Sequence, residues 1–238
     1  MGREPKIVRM LFNDDMARAI VEGRKTVTRR PVISRTNGPV INDEHVRDQD
    51  GYSDGIERAV FQRGDELMGV AFPCATGDTL IGRECWRPVM ESWRSFVEYS
   101  AGGELDVDGR ALFVAERGIA LRFPGAKKDV RTEKWHPSIH MPDWAARIRR
   151  RVVSVTVERL QDITEDDAVR EGFGTSEELE EFFRNCAPPG SRMARPRDSF
   201  EAAWDSIYAA KGLGWGSNCW VWRIEFEREN VQEVSNGR

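Results

Sequence analysis

Strand-like segments are scattered through this 238-residue sequence, and the helical segments between them follow no repeating order. The clearest strand is predicted at residues 151–158, where alternation places Val153, Val155 and Val157 on one face. Another strand is predicted at residues 219–227. A regular β-α-β rhythm, which would indicate a parallel sheet, is missing from the pattern. The sequence therefore favours a mixed α+β fold around a curved sheet or a small β-barrel.

Helix start and stop signals are clear at several places. Gly23 and Gly172 each follow an apolar periodic segment and are placed to end a helix. Thr164 precedes Asp167 by three residues, which is the spacing of a capping box at a helix N-terminus. The patterns predict helices at residues 14–22, 164–171, 176–185 and from 198 or 199 to near 212.

Composition and hydropathy limit the class of protein. With 39% hydrophobic residues and a formal net charge of −4, the chain has a globular composition, which excludes a fibrous or disordered class. The longest apolar stretch, residues 67–75, contains Pro73 and is far shorter than the roughly 18 residues of a membrane helix. The apolar segment at residues 7–12 is too short for a secretory signal. We expect a cytoplasmic protein with no membrane partner.

The cysteine and histidine positions do not indicate a metal site. The four cysteines are far apart and include no CxxC pair, so reduced thiols are expected at Cys74, Cys85, Cys186 and Cys219. His136 and His140 have helical spacing, but Pro137 and Pro142 make a regular helix there improbable. We therefore expect no metal and no cofactor.

A basic cluster follows the first predicted helix. Residues 24–30 contain four cations, Arg24, Lys25, Arg29 and Arg30, together with two threonine hydroxyls. This cluster could bind an anionic or polar molecule. It could equally be a solvated loop whose cations complement the negative C-terminal end of the preceding helix. The residue types alone leave both interpretations open.

Several short segments resemble one protein family in the same order. Residues 22–30, 77–80, 160–168 and 222–226 are similar to segments of ASCH-domain proteins of the PUA-like superfamily. Residues 83–86 and 135–142 resemble segments of the long versions encoded in phages and prophages. Each segment alone is only moderately specific for the family, and the occurrence of all the segments in the same order is much more specific. The resemblance implies a single domain, residues 1–238, with a PUA-like β-barrel core, helical additions and insertions at about 34–64 and 88–134.

The resemblance also implies an activity and its residues. Small members of the superfamily include amidohydrolases that remove the acetyl group of N4-acetylcytidine, and their catalytic Lys, Thr and Glu fall on Lys25, Thr28 and Glu171. A threonine hydroxyl attacks an amide only if a base accepts its proton. Lys25 could be that base if burial or neighbouring arginines lower its pKa, and Glu171 could carry a proton to the leaving amine.

Two physical features bear on this assignment. A regular strand would place Lys25 and Thr28 on opposite faces, so the backbone between them has to turn or bulge. Glu171 lies at the predicted C-terminal end of a helix, where the helix dipole disfavours a carboxylate by roughly 0.3–1 kcal/mol. A carboxylate at such a position is a functional hint, although an ordinary exposed glutamate would have the same sequence signature.

The substrate contacts and the partner are also expectations. Residues expected to contact substrate are Arg24, Arg29, Arg30, Trp86 and His140. The expected partner is a nucleoside or modified base, with RNA as a further partner. The alternative function is a binding module of the PUA-like type that holds RNA or a modified base without turnover. The pattern indicates no oligomeric state.

Overall fold

The computed structural model describes residues 4–49, 58–90, 95–106, 134–174 and 195–228. The fold is mixed α+β, as the sequence pattern indicates. The chain forms two compact units that are interleaved in sequence. Unit 1 comprises Met1–Glu22, Thr79–Arg150 and Arg228–Arg238, and unit 2 comprises Gly23–Asp78 and Arg151–Glu227. Organisation as one PUA-like domain stays a prediction.

The secondary structure consists mainly of short strands. They are β1 (Ile7–Leu11), β2 (Val27–Pro31), β3 (Ile33–Ser34), β4 (Gly38–Pro39), β5 (Glu44–Gln49), β6 (Arg58–Arg63), β7 (Glu66–Ala71), β8 (Thr79–Arg83), β9 (Trp86–Met90), β10 (Ser95–Tyr99), β11 (Glu104–Asp106), β12 (Ile148–Arg159) and β13 (Trp220–Arg228). The α-helices are α1 (Asp14–Val21), α2 (Glu165–Ala168) and α3 (Pro196–Tyr208). Single 3-10 turns lie at Ser138–His140, Asp143–Ala145, Leu160–Asp162, Ala209–Lys211 and Trp215–Ser217.

Unit 1 contains one parallel strand pair and one antiparallel sheet. Strand β1 pairs in parallel with β8, and β9, β10 and β11 form the antiparallel sheet. Helix α1 begins after Asn13, whose side chain accepts a hydrogen bond from the Met16 amide at 2.9 Å. The core of this unit buries Ile81, Trp86, Val97, Tyr99, Met141, Ala145 and Ala146.

Unit 2 contains the candidate site. Strand β13 lies between β12 and β2, and it is antiparallel to β2. Strands β5, β6 and β7 form a separate antiparallel sheet, and β3 and β4 form a hairpin. Around α3, the apolar core consists of Leu160, Ile163, Ala168, Phe200, Trp204, Leu213, Cys219 and Val221. The Trp204 indole donates to the Leu213 carbonyl at 2.7 Å, so its polar atom is satisfied within this core.

Some expectations about the segments need correction. The predicted insertion at residues 34–64 contributes to the buried core, because β6 buries Ala59, Val60 and Phe61. In β12 the core residue is Val152, while Val153 is 37% exposed, so alternation located the strand but did not identify its buried face. The helix predicted at residues 176–185, Cys186 and most of the region 88–134 lie outside the described residues.

Two further features concern fold class and membranes. None of the sheets formed by the described strands closes into a barrel, and the PUA-like barrel core stays a prediction. Across the described part of the chain, no helix has the length and apolarity needed to span a membrane.

Candidate active site

Lys25 lies in a short connection between α1 and β2. Gly23 has a φ of +81°, which favours glycine and lets the chain leave the helix. The Thr26 amide then donates to the Arg170 carbonyl at 2.8 Å, and the Thr26 carbonyl accepts from Phe226 at 2.9 Å. Strand β2 begins only at Val27, so strand alternation does not apply between Lys25 and Thr28. Lys25 is held in place and is 1% exposed.

Glu171 is placed by α2 and the wide helical turn that follows it, Val169–Phe173. Thr164 is the N-cap of α2, and its hydroxyl accepts from the Asp167 amide at 3.0 Å, as the capping-box spacing predicts. Gly172 has a φ of +100° and breaks the helical path directly after Glu171. The Glu171 side chain is 2% exposed, so it is not an ordinary helix-end glutamate in solvent.

Lys25 and Glu171 form a buried ion pair. The Lys25 Nζ donates to Glu171 Oε2 and also to the Glu171 backbone carbonyl at 3.0 Å. Burial lowers the pKa of Lys25 because a charged ammonium loses hydration. Glu171 opposes this change, whereas the charges of Arg30 and Arg29 lower the Lys25 pKa further. The lysine that the resemblance assigns as a base therefore has a pKa below its ordinary value.

Arg29 contacts three carboxylates and is itself buried. Its Nε donates to Glu158 Oε1 at 2.6 Å, its Nη2 to Asp167 Oδ2 at 2.9 Å and its Nη1 to Glu171 Oε1 at 3.3 Å. The residue is 3% exposed. Each of its three nitrogens therefore has a protein partner. Arg29 was predicted to contact substrate, and the structure shows three of its donors directed at carboxylates of the protein; substrate contact stays a prediction.

The ion pairs continue beyond Arg29. Arg223 contacts Asp167 Oδ1 at 3.1 Å and Glu225 Oε2 at 3.2 Å, and Arg170 also pairs with Glu225. Burial raises the pKa of Glu158 although Arg29 opposes it. Burial also acts to raise the pKa of Asp167, but Arg223 and Arg29 together outweigh it and the net pKa is lowered. Asp167 therefore stays ionised between two arginines.

These contacts link eight side chains into a charge network. The charge network consists of Lys25, Arg29, Arg170, Arg223, Glu158, Asp167, Glu171 and Glu225. Its four cations match its four carboxylates, so burial leaves no uncompensated charge within the group.

Thr28 lies on the opposite face of β2 from Arg29. It pairs with Ile224 of β13, while Arg29 pairs with Arg223. Because paired residues in a sheet point to the same side, Thr28 and Ile224 share one face and the two arginines share the other. Thr28 is 3% exposed.

Arg30 and Arg24 lie at the edge of the same region. Arg30 is half-buried on the Thr28 face, and its Nη1 donates to the Tyr208 hydroxyl at 3.5 Å. Arg24 is exposed, and its Nη1 donates to the Gly172 carbonyl at 3.2 Å. Arg29 and Arg30 lie on opposite faces of β2, and the positive charge of each lowers the pKa of Lys25.

Trp86 and His140 belong to unit 1. Trp86 is 3% exposed, and its ring stacks on His136 at a centroid distance of 5.0 Å. His140 ends the 3-10 turn Ser138–His140 and is exposed. The contacts of the charge network involve unit 2 alone, and substrate binding by Trp86 and His140 stays a prediction. No three metal-ligating side chains (His, Cys, Asp or Glu) are grouped as ligands of one ion in the part of the chain that is described.

Glu158 and Asp167 contact the predicted residue Arg29 but were not predicted from the sequence, nor was Arg223, which contacts Asp167. One signal was present for Arg223. In β13, Trp222, Ile224 and Phe226 are buried, and the charged residues Arg223 and Glu225 alternate with them. Charged residues along one face of a largely buried strand indicate partners on that side.

Comparison of the chain with protein-family models, with curated proteins and with solved structures found no match.

Proposed function

We propose that this protein is an amidohydrolase that removes the acyl group from an N-acylated cytosine nucleoside or a related modified base. One observation carries the proposal: Lys25, which lies just before the strand that holds the buried Thr28, forms a buried ion pair with Glu171. The resemblance to ASCH-domain proteins supplies the reaction and extends the proposal to a PUA-like β-barrel core.

The proposed nucleophile is Thr28. It is buried on the face of β2 opposite Arg29, so its side chain lies outside the charge network. Glu171 accepts two of the three hydrogen bonds that a lysine ammonium can donate. Among the described residues this leaves one Nζ donor of Lys25, which we assign to Thr28 or to the substrate.

The proposed base is the neutral amine of Lys25. The hydrogen bond between Lys25 Nζ and Glu171 Oε2 allows one proton to move to the carboxylate, which converts the pair from ammonium and carboxylate to amine and acid. Burial favours this exchange because it lowers the pKa of Lys25. The neighbouring Arg29 and Arg30 act in the same direction.

The reaction then proceeds in two stages. Thr28 Oγ1 attacks the acyl carbon while Lys25 Nζ accepts the hydroxyl proton. The C–N bond breaks, the amino group of cytosine leaves with a proton from the Lys25–Glu171 pair, and the acyl group remains as an ester on Thr28. Water hydrolyses this ester, which releases the carboxylic acid and restores the threonine hydroxyl.

The test is release of acetate and cytidine from N4-acetylcytidine by the purified full chain. We expect turnover by the wild type and none by Lys25→Ala or Thr28→Val. Lys134→Ala is the matched control, because Lys134 is exposed and outside the charge network. Absence of turnover in the wild type, or equal turnover in wild type and Lys25→Ala, would show that the hydrolase proposal is wrong.

A second candidate function is non-catalytic binding of RNA or a modified base. It is favoured by one observation, which is that Thr28 and Arg29 lie on opposite faces of β2 while Glu171 contacts Arg29. In this case the charge network would hold the binding surface rigid rather than move protons. Binding predicts RNA affinity that falls with added salt and weakens in Arg30→Ala, with no product formed.

A further inference from the structure

We propose that Arg29 is a positioning residue for the Lys25–Glu171 pair: it holds one oxygen of Glu171 so that the other stays on Lys25. The inference rests on the proposed function for its catalytic meaning. The effect of Arg29 on the titration of Lys25 can be measured without any turnover.

The contacts divide the Glu171 carboxylate between two cations. Oε1 accepts from Arg29 Nη1 at 3.3 Å, and Oε2 accepts from Lys25 Nζ. A carboxylate held at both oxygens cannot rotate about its last bond without breaking one contact. The orientation of Oε2 toward Lys25 therefore depends on Arg29.

Arg29 is itself fixed by two other carboxylates. Glu158 in β12 accepts a hydrogen bond from Arg29 Nε at 2.6 Å, and Asp167 in α2 accepts one from Arg29 Nη2 at 2.9 Å. Arg223, which lies on the neighbouring strand β13, donates from Nη2 to Asp167 Oδ1 at 3.1 Å. The planar guanidinium thus joins three elements, a geometry that a single lysine ammonium cannot reproduce.

Arg29 also acts on Lys25 through its charge. The charged groups acting on Lys25 are Glu171, Arg30 and Arg29. Loss of the Arg29 charge removes a repulsive neighbour of the Lys25 ammonium and leaves Glu171 less neutralised. Both changes stabilise the protonated lysine, so the pKa of Lys25 rises and a higher pH is needed to form the amine.

Two substitutions separate the charge of Arg29 from its geometry. Arg29→Lys keeps a positive charge but cannot contact three carboxylates, so we expect an unchanged Lys25 titration and a kcat lower by about 10²-fold. Arg29→Gln removes the charge, so we expect the Lys25 titration and the rising limb of the pH–rate profile to move to higher pH. Arg151→Gln is the control, because Arg151 forms an exposed pair with Glu227 outside the charge network.

The main readout is NMR titration of lysines labelled with ¹³C at Cε in the full-length protein. The chain has six lysines, Lys6, Lys25, Lys127, Lys128, Lys134 and Lys211, and Lys25→Arg identifies the signal of interest. Unchanged titration of Lys25 in Arg29→Gln would overturn the charge effect. Turnover of Arg29→Lys equal to that of the wild type would overturn the positioning role.

The outcomes also separate this inference from the proposed function. If the wild type hydrolyses no acylated cytidine but Lys25 titrates at higher pH in Arg29→Gln, the hydrolase proposal fails and the control of Lys25 by Arg29 stands. If Arg29→Gln does not fold, the comparison of Arg29→Lys with Arg151→Gln still decides the positioning role. A merely structural role predicts equal losses in both Arg29 variants with no change in the pH profile.

Discussion

Replacing Glu171 by glutamine would test whether the buried ion pair supports the fold. The substitution keeps the size of the side chain but removes the carboxylate that contacts Lys25 and Arg29. Arg29 keeps Glu158 and Asp167, whereas Lys25 loses the carboxylate that stabilises its ammonium. Breaking a buried ion pair from one side costs about 3–5 kcal/mol of unfolding free energy. For a chain of this size, that loss lowers Tm by about 6–20 °C.

The loss of unfolding free energy in Glu171→Gln, called the deficit below, should depend on pH. The pKa of Lys25 in the folded protein is below the ordinary lysine value of about 10.4. Between these two values the unfolded chain binds more protons than the folded one, so stability rises with pH. Glu171 raises the Lys25 pKa, so Glu171→Gln lowers it further and widens this window. We therefore expect the largest deficit near pH 7 and a smaller one toward pH 10, where a growing fraction of Lys25 is neutral in the folded wild type as well as in the folded variant.

Urea denaturation at several pH values between 7 and 10 measures this effect. Glu227→Gln is the matched control, since Glu227 is exposed in its pair with Arg151 and should cost no more than about 1 kcal/mol. Combining Glu171→Gln with Lys25→Met should recover part of the loss, because no buried cation remains. Equal stability of Glu171→Gln and Glu227→Gln across this pH range would refute the reasoning.

Substitutions at three other positions give direct tests. Thr164→Ala removes the acceptor of the Asp167 amide and should lower the unfolding free energy by about 1 kcal/mol in urea denaturation. Gly172→Ala places a side chain at a φ of +100°, and we expect a loss of about 1–2 kcal/mol by the same assay together with weaker turnover. Thr28→Ser should keep acetate release, while Thr28→Val should abolish it with an unchanged Tm; turnover by the valine variant would exclude Thr28 as nucleophile.

Local signals in the sequence predicted the elements that carry the site. Thr164 and Gly172 mark the start and end of the helical segment before Glu171, and both have the geometry that their residue types favour. Alternation located β12 and β13 because these strands are long. Which face of β12 is buried could not be predicted, since Val152 and Val153 are equally apolar and only the packing distinguishes them.

The contacts within the site had no comparable local signal. Lys25 and Glu171 were assigned by resemblance, and their contact joins residues 146 positions apart. The partners of Arg29 on β12 and α2 lie 129 and 138 positions away. A basic cluster in a sequence looks the same whether its cations face water or carboxylates. Only the fold assigns each arginine to one environment, which is why Arg29 and Arg24 differ so much in burial.

The division of unit 2 into two chain segments determines when the site can form during synthesis. Strand β2 pairs with β13, and Glu225 of β13 lies opposite Val27 of β2. Closing so long a loop costs chain entropy before any contact offsets that cost, so such strand pairings form slowly. A ribosome-bound chain that stops before β13 therefore contains Lys25 and Glu171 but lacks the strand that pairs with β2. The charge network thus assembles late in folding, and an incompletely synthesised chain should have no site.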